Sequence, residues 1–263
     1  LFTKKSTCII SLTSLQVRRW ILFLSYILTT LFACLTNAQP DFQAHYCNYD
    51  YRGTYTSNST FKKNLDTLAS IVASSEVSFH NISIGQNPDR VNIIALCRGD
   101  VAWDICRSCL IDANTKLREI CPNEKQSIGW YDECMLRYSD RYIFNTMFTL
   151  PNAYTYNPTT VSRATTAQFN QAVRTLLNNL LQVASRGNSV RKFATRSTRT
   201  GANNNITLYG LAECTPDLNR QQCRDCLSGT AEKLPECCNG RIGGRILRPS
   251  CNFRYEIGRF YGF

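Results

Sequence analysis

Histidine is nearly missing from this chain. Two of its 263 residues, His45 and His80, are histidine, and none lies beyond His80. The C-terminal half therefore has no imidazole for acid–base work or metal binding. Neither G-x-S-x-G nor H-E-x-x-H occurs, so no hydrolase constellation is legible, and His45 and His80 are read as surface or packing residues. Acidic residues are missing before Asp41, while Lys4, Lys5, Arg18 and Arg19 are positive. Long apolar runs are missing everywhere after "WILFLSYILTTLFACL" at residues 20–35. That run is short for a membrane span and ends in "TNAQP", with Ala38 where a signal peptidase needs a small side chain. Residues 1–38 are therefore expected to be a signal peptide, and not a membrane anchor. The first residue is Leu1 and not methionine, which leaves the start of the coding sequence open.

Cysteine, by contrast, is abundant, with fourteen residues. Removing residues 1–38 takes away Cys8 and Cys34 and leaves an even number. An exported chain meets an oxidising space, where thiols pair. Three N-glycosylation sequons fit that address: Asn58 in "NST", Asn81 in "NIS" and Asn205 in "NIT".

An offset of 117 residues places Cys97 on Cys214, Cys106 on Cys223, Cys109 on Cys226, Cys121 on Cys238 and Cys134 on Cys251. Leu110, Arg137 and Tyr138 meet Leu227, Arg254 and Tyr255 at the same offset. The chain is a tandem repeat. Its expected domains are 39–150 and 160–263, joined by a linker at 151–159 in which Pro151 and Pro158 break regular structure. Each repeat opens with a helical pattern: Phe61, Leu65, Leu68, Ile71 and Val72 after the caps Ser59 and Thr60, and Phe169, Val173, Leu176, Leu177, Leu180 and Leu181. Each C-x2-C lies in a second helix, and each tail reads as strands. The expected fold class is α+β, with two tandem domains, each two helices on an antiparallel sheet, stapled by disulfides. Each cross-link that closes a long loop contributes on the order of 3–4 kcal/mol.

"GWYDECMLRYS", "QCRDCL", "CC" and "GGRILRPSCNFRYE", set among the two C-x8-C-x2-C motifs, resemble the paired extracellular domains of plant cysteine-rich receptor-like kinases. The double domain also resembles that of cysteine-rich repeat secretory proteins. The single domain is similar to ginkbilobin, the ginkbilobin-homologous or stress-antifungal domain. The resemblance implies the bridges Cys47–Cys121, Cys97–Cys106, Cys109–Cys134, Cys214–Cys223 and Cys226–Cys251. No cysteine stands where a counterpart of Cys47 is expected. Cys237 and Cys238 are then expected to pair with each other, or Cys237 reaches another partner. Kinase members continue into a membrane span and a kinase. This chain ends at Phe263, shortly after "RYE", so it is expected to be either a secreted protein or a receptor ectodomain without its kinase.

The resemblance also implies a mannose site made of an Asn after the first cysteine, an Arg before the last and a Glu five residues after it. These carry over to Asn48 in the first repeat and to Arg245 and Glu256 in the second. The first repeat has Ile128 and Ser139 at the other two places, and the second shows no Asn beside a first cysteine. Arg245 and Glu256 flank the break at Pro249 and are expected to face one another on adjacent strands, as a sugar-binding pair or a structural ion pair. Zinc at the C-x2-C units is disfavoured by the oxidising compartment, their separation and the scarcity of histidine, so no metal and no cofactor is expected. A thioredoxin-like role for Cys106 and Cys109 is disfavoured because each has a partner in the implied pairing. Trp130, Tyr138, Phe144, Phe253, Tyr255, Phe260 and Tyr261 are expected mainly in the core, with a few free to stack on sugar or a partner.

Residues 39–150 hold 11 basic and 13 acidic side chains, near −2; residues 151–263 hold 15 and 6, near +9. This asymmetry fits attraction to anionic wall polysaccharide or microbial membranes, or basic-on-acidic contact between domains. Export argues against nucleic acid. The reading is a secreted, non-enzymatic recognition protein of the plant apoplast in stress or defence, with carbohydrate or extracellular protein partners and no membrane span in the mature chain. The alternatives are a directly antifungal mannose-binding effector and a truncated receptor-kinase ectodomain.

Overall fold

The structure is a computed structural model that describes residues 16–27, 39–201 and 205–262. The chain divides into two compact units, Leu1–Gln39 and Pro40–Phe263. In the first, residues 16–27 are helical and exposed. Cys8, Cys34 and Ala38, with the expected cleavage point, lie outside the described residues. Among the described residues no helix is long and apolar enough to cross a membrane.

The second unit contains two α+β halves. The first is built from β1 (Phe42–Cys47), α1 (Thr60–Ser74), β2 (Phe79–Ile84), β3 (Val91–Cys97), α2 (Trp103–Ile120), β4 (Gln126–Tyr131) and β5 (Cys134–Ser139). The second follows the same order: β6 (Ala153–Tyr156), α3 (Thr166–Ala184), β7 (Lys192–Thr200), β8 (Ile206–Cys214), α4 (Arg220–Cys238), β9 (Gly243–Leu247) and β10 (Cys251–Glu256). The sheets run β1-β4-β5-β3-β2 and β6-β9-β10-β8-β7, antiparallel throughout.

Local chemistry accounts for the helices. Ser59 caps α1 by accepting from the Lys62 amide, and Phe61, Leu65, Leu68 and Val72 form its buried stripe. Asn219 and Gln222 close a capping box at the start of α4. The central strands β3, β4, β5 and β9 are buried on both faces. Ile93 and Ala95 of β3 enter the core under α1 and α2, whereas Ile94 and Leu96 join Ile128, Trp130, Met135 and Leu247 in a separate cluster. Ala153 of β6 and Phe148 pack against that cluster as well. The two sheets thus meet through the faces their helices leave uncovered. Alternation is lost in β3, whose seven residues are all buried, so it reads as a plain apolar run.

The joint corrects one expectation. Residues 151–159 do not lack regular structure: β6 lies between the two prolines and pairs with β9. Four residues suffice for an edge strand when the prolines fall outside its ladder. Of the aromatic residues expected in the core, six are buried, and Tyr261 is half-buried.

Candidate functional site

Strand register reveals an equivalence hidden in the sequence. Cys47 of β1 pairs with Ser127, and Tyr156 of β6 pairs with Gly244. Ser127 and Gly244 are 117 residues apart, the repeat offset, so Tyr156 stands in the place of Cys47. The next residue, Asn157, then corresponds to Asn48. Their backbone amides make matching bonds, Asn48 to the Gln126 carbonyl at 2.8 Å and Asn157 to the Gly243 carbonyl at 3.0 Å. The second repeat therefore has the asparagine that appeared to be missing.

Asn157, Arg245 and Glu256 sit together on the β6–β9–β10 edge. Glu256 lies opposite Gly243, the residue whose carbonyl accepts from Asn157. A Cβ on Gly243 would meet the Glu256 carboxylate at 1.7 Å, so only glycine lets that carboxylate fold over β9. The expected facing of Arg245 and Glu256 needs correction. Arg245 is opposite Arg254, two positions from Glu256, and it is Arg254 that approaches the Glu256 carboxylate, at 3.5 Å. A register shift of two keeps both residues on one face but separates their heads. In the first repeat the corresponding places hold Ile128 and Ser139, both buried. Both asparagines spend the side-chain oxygen on a nearby backbone amide, Asn48 on that of Arg52 and Asn157 on that of Thr159 at 3.0 Å, and keep the side-chain nitrogen.

Arg245 is 5% exposed and reaches across to the first repeat, where it pairs with Asp132. Asp132 also accepts from Arg254 at 2.7 Å and from Arg98 at 3.0 Å. Burial disfavours the ionised Asp132, but the guanidinium groups of Arg245, Arg254 and Arg98 outweigh it and hold its carboxyl below the ordinary range. Burial lowers Arg245 itself, against the pull of Asp132. Beside this cluster Glu213 of β8 accepts from the Gly99 amide of the first repeat at 2.9 Å. Burial, with Asn252, Gly99 and Arg98 opposing, pushes Glu213 up to about 8. Glu256 is raised by burial, partly offset by Arg254.

A model of the salt stress response/antifungal family matches residues 46–141 and, a second time, residues 156–257. The chain belongs to this family. Within it, cysteine-rich repeat secretory protein 38 of Arabidopsis thaliana is 41% identical over 221 residues, covering 83% of this chain and 85% of that protein. Cysteine-rich receptor-like protein kinase 25 of the same plant is 37% identical over 247 residues, which is 91% of this chain and 35% of the kinase. The chain thus spans about a third of that kinase. The tandem DUF26 ectodomain of the Arabidopsis thaliana cysteine-rich receptor-like protein PDLP8 superposes with a TM-score of 0.67 at 22% identity, over 82% of this chain and 98% of that one. That likeness shows the fold. This salt stress response/antifungal chain is a secretory, cysteine-rich tandem-repeat protein.

Among the described residues of this family member six disulfides are present: Cys47–Cys121, Cys97–Cys106, Cys109–Cys134, Cys214–Cys223, Cys226–Cys251 and Cys237–Cys238. With Tyr156 in the place of Cys47, Cys238 has lost its long-range partner and bonds to its neighbour. His45 lies beside Cys47 and Cys121, but both sulfurs are spent in a bridge, which leaves no thiolate for a metal. His80 is buried, and burial lowers its pKa. Asn58, Asn81 and Asn205 are all exposed. Register in β6, and not cysteine spacing, is the signal that finds Asn157.

Proposed function

We propose that this protein is a non-enzymatic recognition module of the apoplast that binds carbohydrate at the β6–β9–β10 edge, after removal of residues 1–38 as a signal peptide. The observation that carries the reading is the placement of Asn157, Arg245 and Glu256 on one face of one sheet. A sugar offers adjacent hydroxyls that both donate and accept. A carboxylate accepts from two of them, and the Asn157 side-chain nitrogen donates, its oxygen being held by the Thr159 amide. Arg245 acts chiefly by anchoring the edge to Asp132, and Glu256 and Asn157 are the groups a ligand meets. The charged side chains around the site are tied to one another, which supports binding and not turnover.

A glycan array probed with the secreted protein tests this. Mannose-containing glycans are expected to bind, and Glu256→Gln and Asn157→Ala are expected to weaken binding at least tenfold while the fold stays intact. Binding to no glycan, with an extracellular protein captured instead, would replace this reading with protein recognition. The family's description also supports a directly antifungal role. That role predicts growth inhibition of a fungus by pure protein, abolished by free mannose.

A further inference from the structure

β2 is the edge strand of the first sheet, and it bears the sequon Asn81-Ile82-Ser83. Residues two apart on a strand share a face, so Phe79, Asn81 and Ser83 point the same way. That face belongs to the side on which the two repeats meet, because Phe79 packs against the cluster that joins them. Beyond Phe79 the repeats do not close. A cleft of about 490 Å³ remains, walled by Phe79 and Asn81 on one side and by Asn145, Asn188, Asp217 and Asn219 among others. The volume falls within the roughly 300–1,000 Å³ typical of small-molecule sites.

The lining is suited to sugar. Among the described residues the side-chain amide nitrogens of Asn145, Asn188 and Asn219 have no hydrogen-bond partner, although the oxygen of Asn188 is used in a local turn and that of Asn219 in the cap of α4. Asp217 uses one carboxylate oxygen on the Asn145 amide, and its other oxygen is buried without a partner. Three free donors and one half-exposed aromatic ring match the hydroxyls, the acetamido carbonyl and the C–H face of a pyranose. Asn58 and Asn205, the other sequon residues, do not line this cleft.

We infer that Asn81 is N-glycosylated and that the first sugars of its glycan fill the cleft between the repeats, stacking on Phe79 and bonding to the asparagine wall. In the modification a lipid-linked oligosaccharide diphosphate is the donor. The Asn81 amide nitrogen forms a bond to the sugar C1, the C1–oxygen bond to the diphosphate breaks, and the amide gives up one proton. The glycan then adds to the direct contacts that Asn145 of the first repeat makes with Asp217 and Gln222 of the second at this cleft.

The test uses the full chain secreted from glycosylating eukaryotic cells, beside Ser83→Ala, which removes the sequon and keeps Asn81. Glycopeptide mass spectrometry should find Asn81 occupied. An endoglycosidase that cuts between the first two sugars should act at least tenfold more slowly at Asn81 than at Asn58 in native protein, and equally at both after denaturation. Hydrogen exchange at residues 188–192 and 216–219 should be at least tenfold slower in the glycosylated protein than in Ser83→Ala. An unmodified Asn81 overturns the inference. So does an occupied Asn81 that is trimmed as fast as Asn58 and leaves those segments unprotected.

Discussion

Glu213 should make the protein lose stability as pH rises from 5 to 8. Unfolded, its carboxyl releases a proton near the ordinary glutamate value of 4.5; folded, burial holds the proton up to about 8. Between those values the folded state binds the extra proton, so the stability contribution is complete below about 4.5 and is lost as pH climbs through 8. Each unit of pKa difference corresponds to about 1.4 kcal/mol, and integrating from pH 5 to pH 8 gives a loss on the order of 3–4 kcal/mol. The partners locate the effect at the contact between repeats. Gly99 belongs to the first half, and a Cβ there would meet the Phe193 ring at 2.5 Å. Asn252, Arg98 and Asp100 complete the surroundings of the carboxylate. Glu213→Gln keeps the acceptor for Gly99, removes the titration and mimics the protonated acid. Urea unfolding of both proteins at pH 5, 6.5 and 8 checks this. The variant should match the wild type near pH 5 and exceed it by a few kcal/mol at pH 8. A difference that does not change with pH, or one in which the wild type gains on the variant as pH rises, refutes it.

Asp132→Ala leaves the buried Arg245 with no acceptor, while Arg98 and Arg254 retain Asp100 and Glu256. Loss of a buried charge partner should cost about 3 kcal/mol in urea unfolding. Cys47→Ser opens a bridge of sequence separation 74 and should cost about 4 kcal/mol. Replacing both Cys237 and Cys238 by Ser should cost far less by loop-closure entropy, because their bridge has a sequence separation of 1. Differential scanning calorimetry of the two variants ranks them. Gly243→Ala sets a methyl group against the Glu256 carboxylate. It should abolish glycan binding in the array while the thermal midpoint falls only modestly. Glycan binding should also weaken on acidification at a higher pH than an ordinary carboxylate would give, since the Glu256 carboxyl is raised and its protonated form loses an acceptor.

The α+β class, the tandem repeat and the amphipathic helices were legible because cysteine spacing and a 3.6-residue period survive in a single sequence. Strands β1, β2, β3, β7 and β8 were not read; in β3 and the second half of β8 burial on two faces erases the alternation that marks a strand. The joint β6 was hidden by its flanking prolines. Asn157 was hidden for a different reason. The offset of 117 holds only from β3 onward, where Asn92 opposite Ser139 matches Tyr209 opposite Glu256: Phe61 and Phe169 are 108 apart, and Phe79 and Phe193 are 114 apart. The second repeat has a longer helix, 19 residues in α3 against 15 in α1, and a longer β7–β8 hairpin. Insertions at helix ends and hairpin tips leave the ladders untouched, so spatial equivalence outlasts a constant numerical offset. The cysteine at the end of β1 was the natural marker for the asparagine beside it. Yet β6 holds its register on β9 through backbone bonds, and the Asn157 amide reaches the Gly243 carbonyl with tyrosine in the cysteine's place. The sheet, and not the bridge, places that asparagine. Opening Cys47–Cys121 should accordingly lower the stability of the first repeat without moving Asn48 off the Gln126 carbonyl, and hydrogen exchange at Asn48 under native conditions separates the two effects.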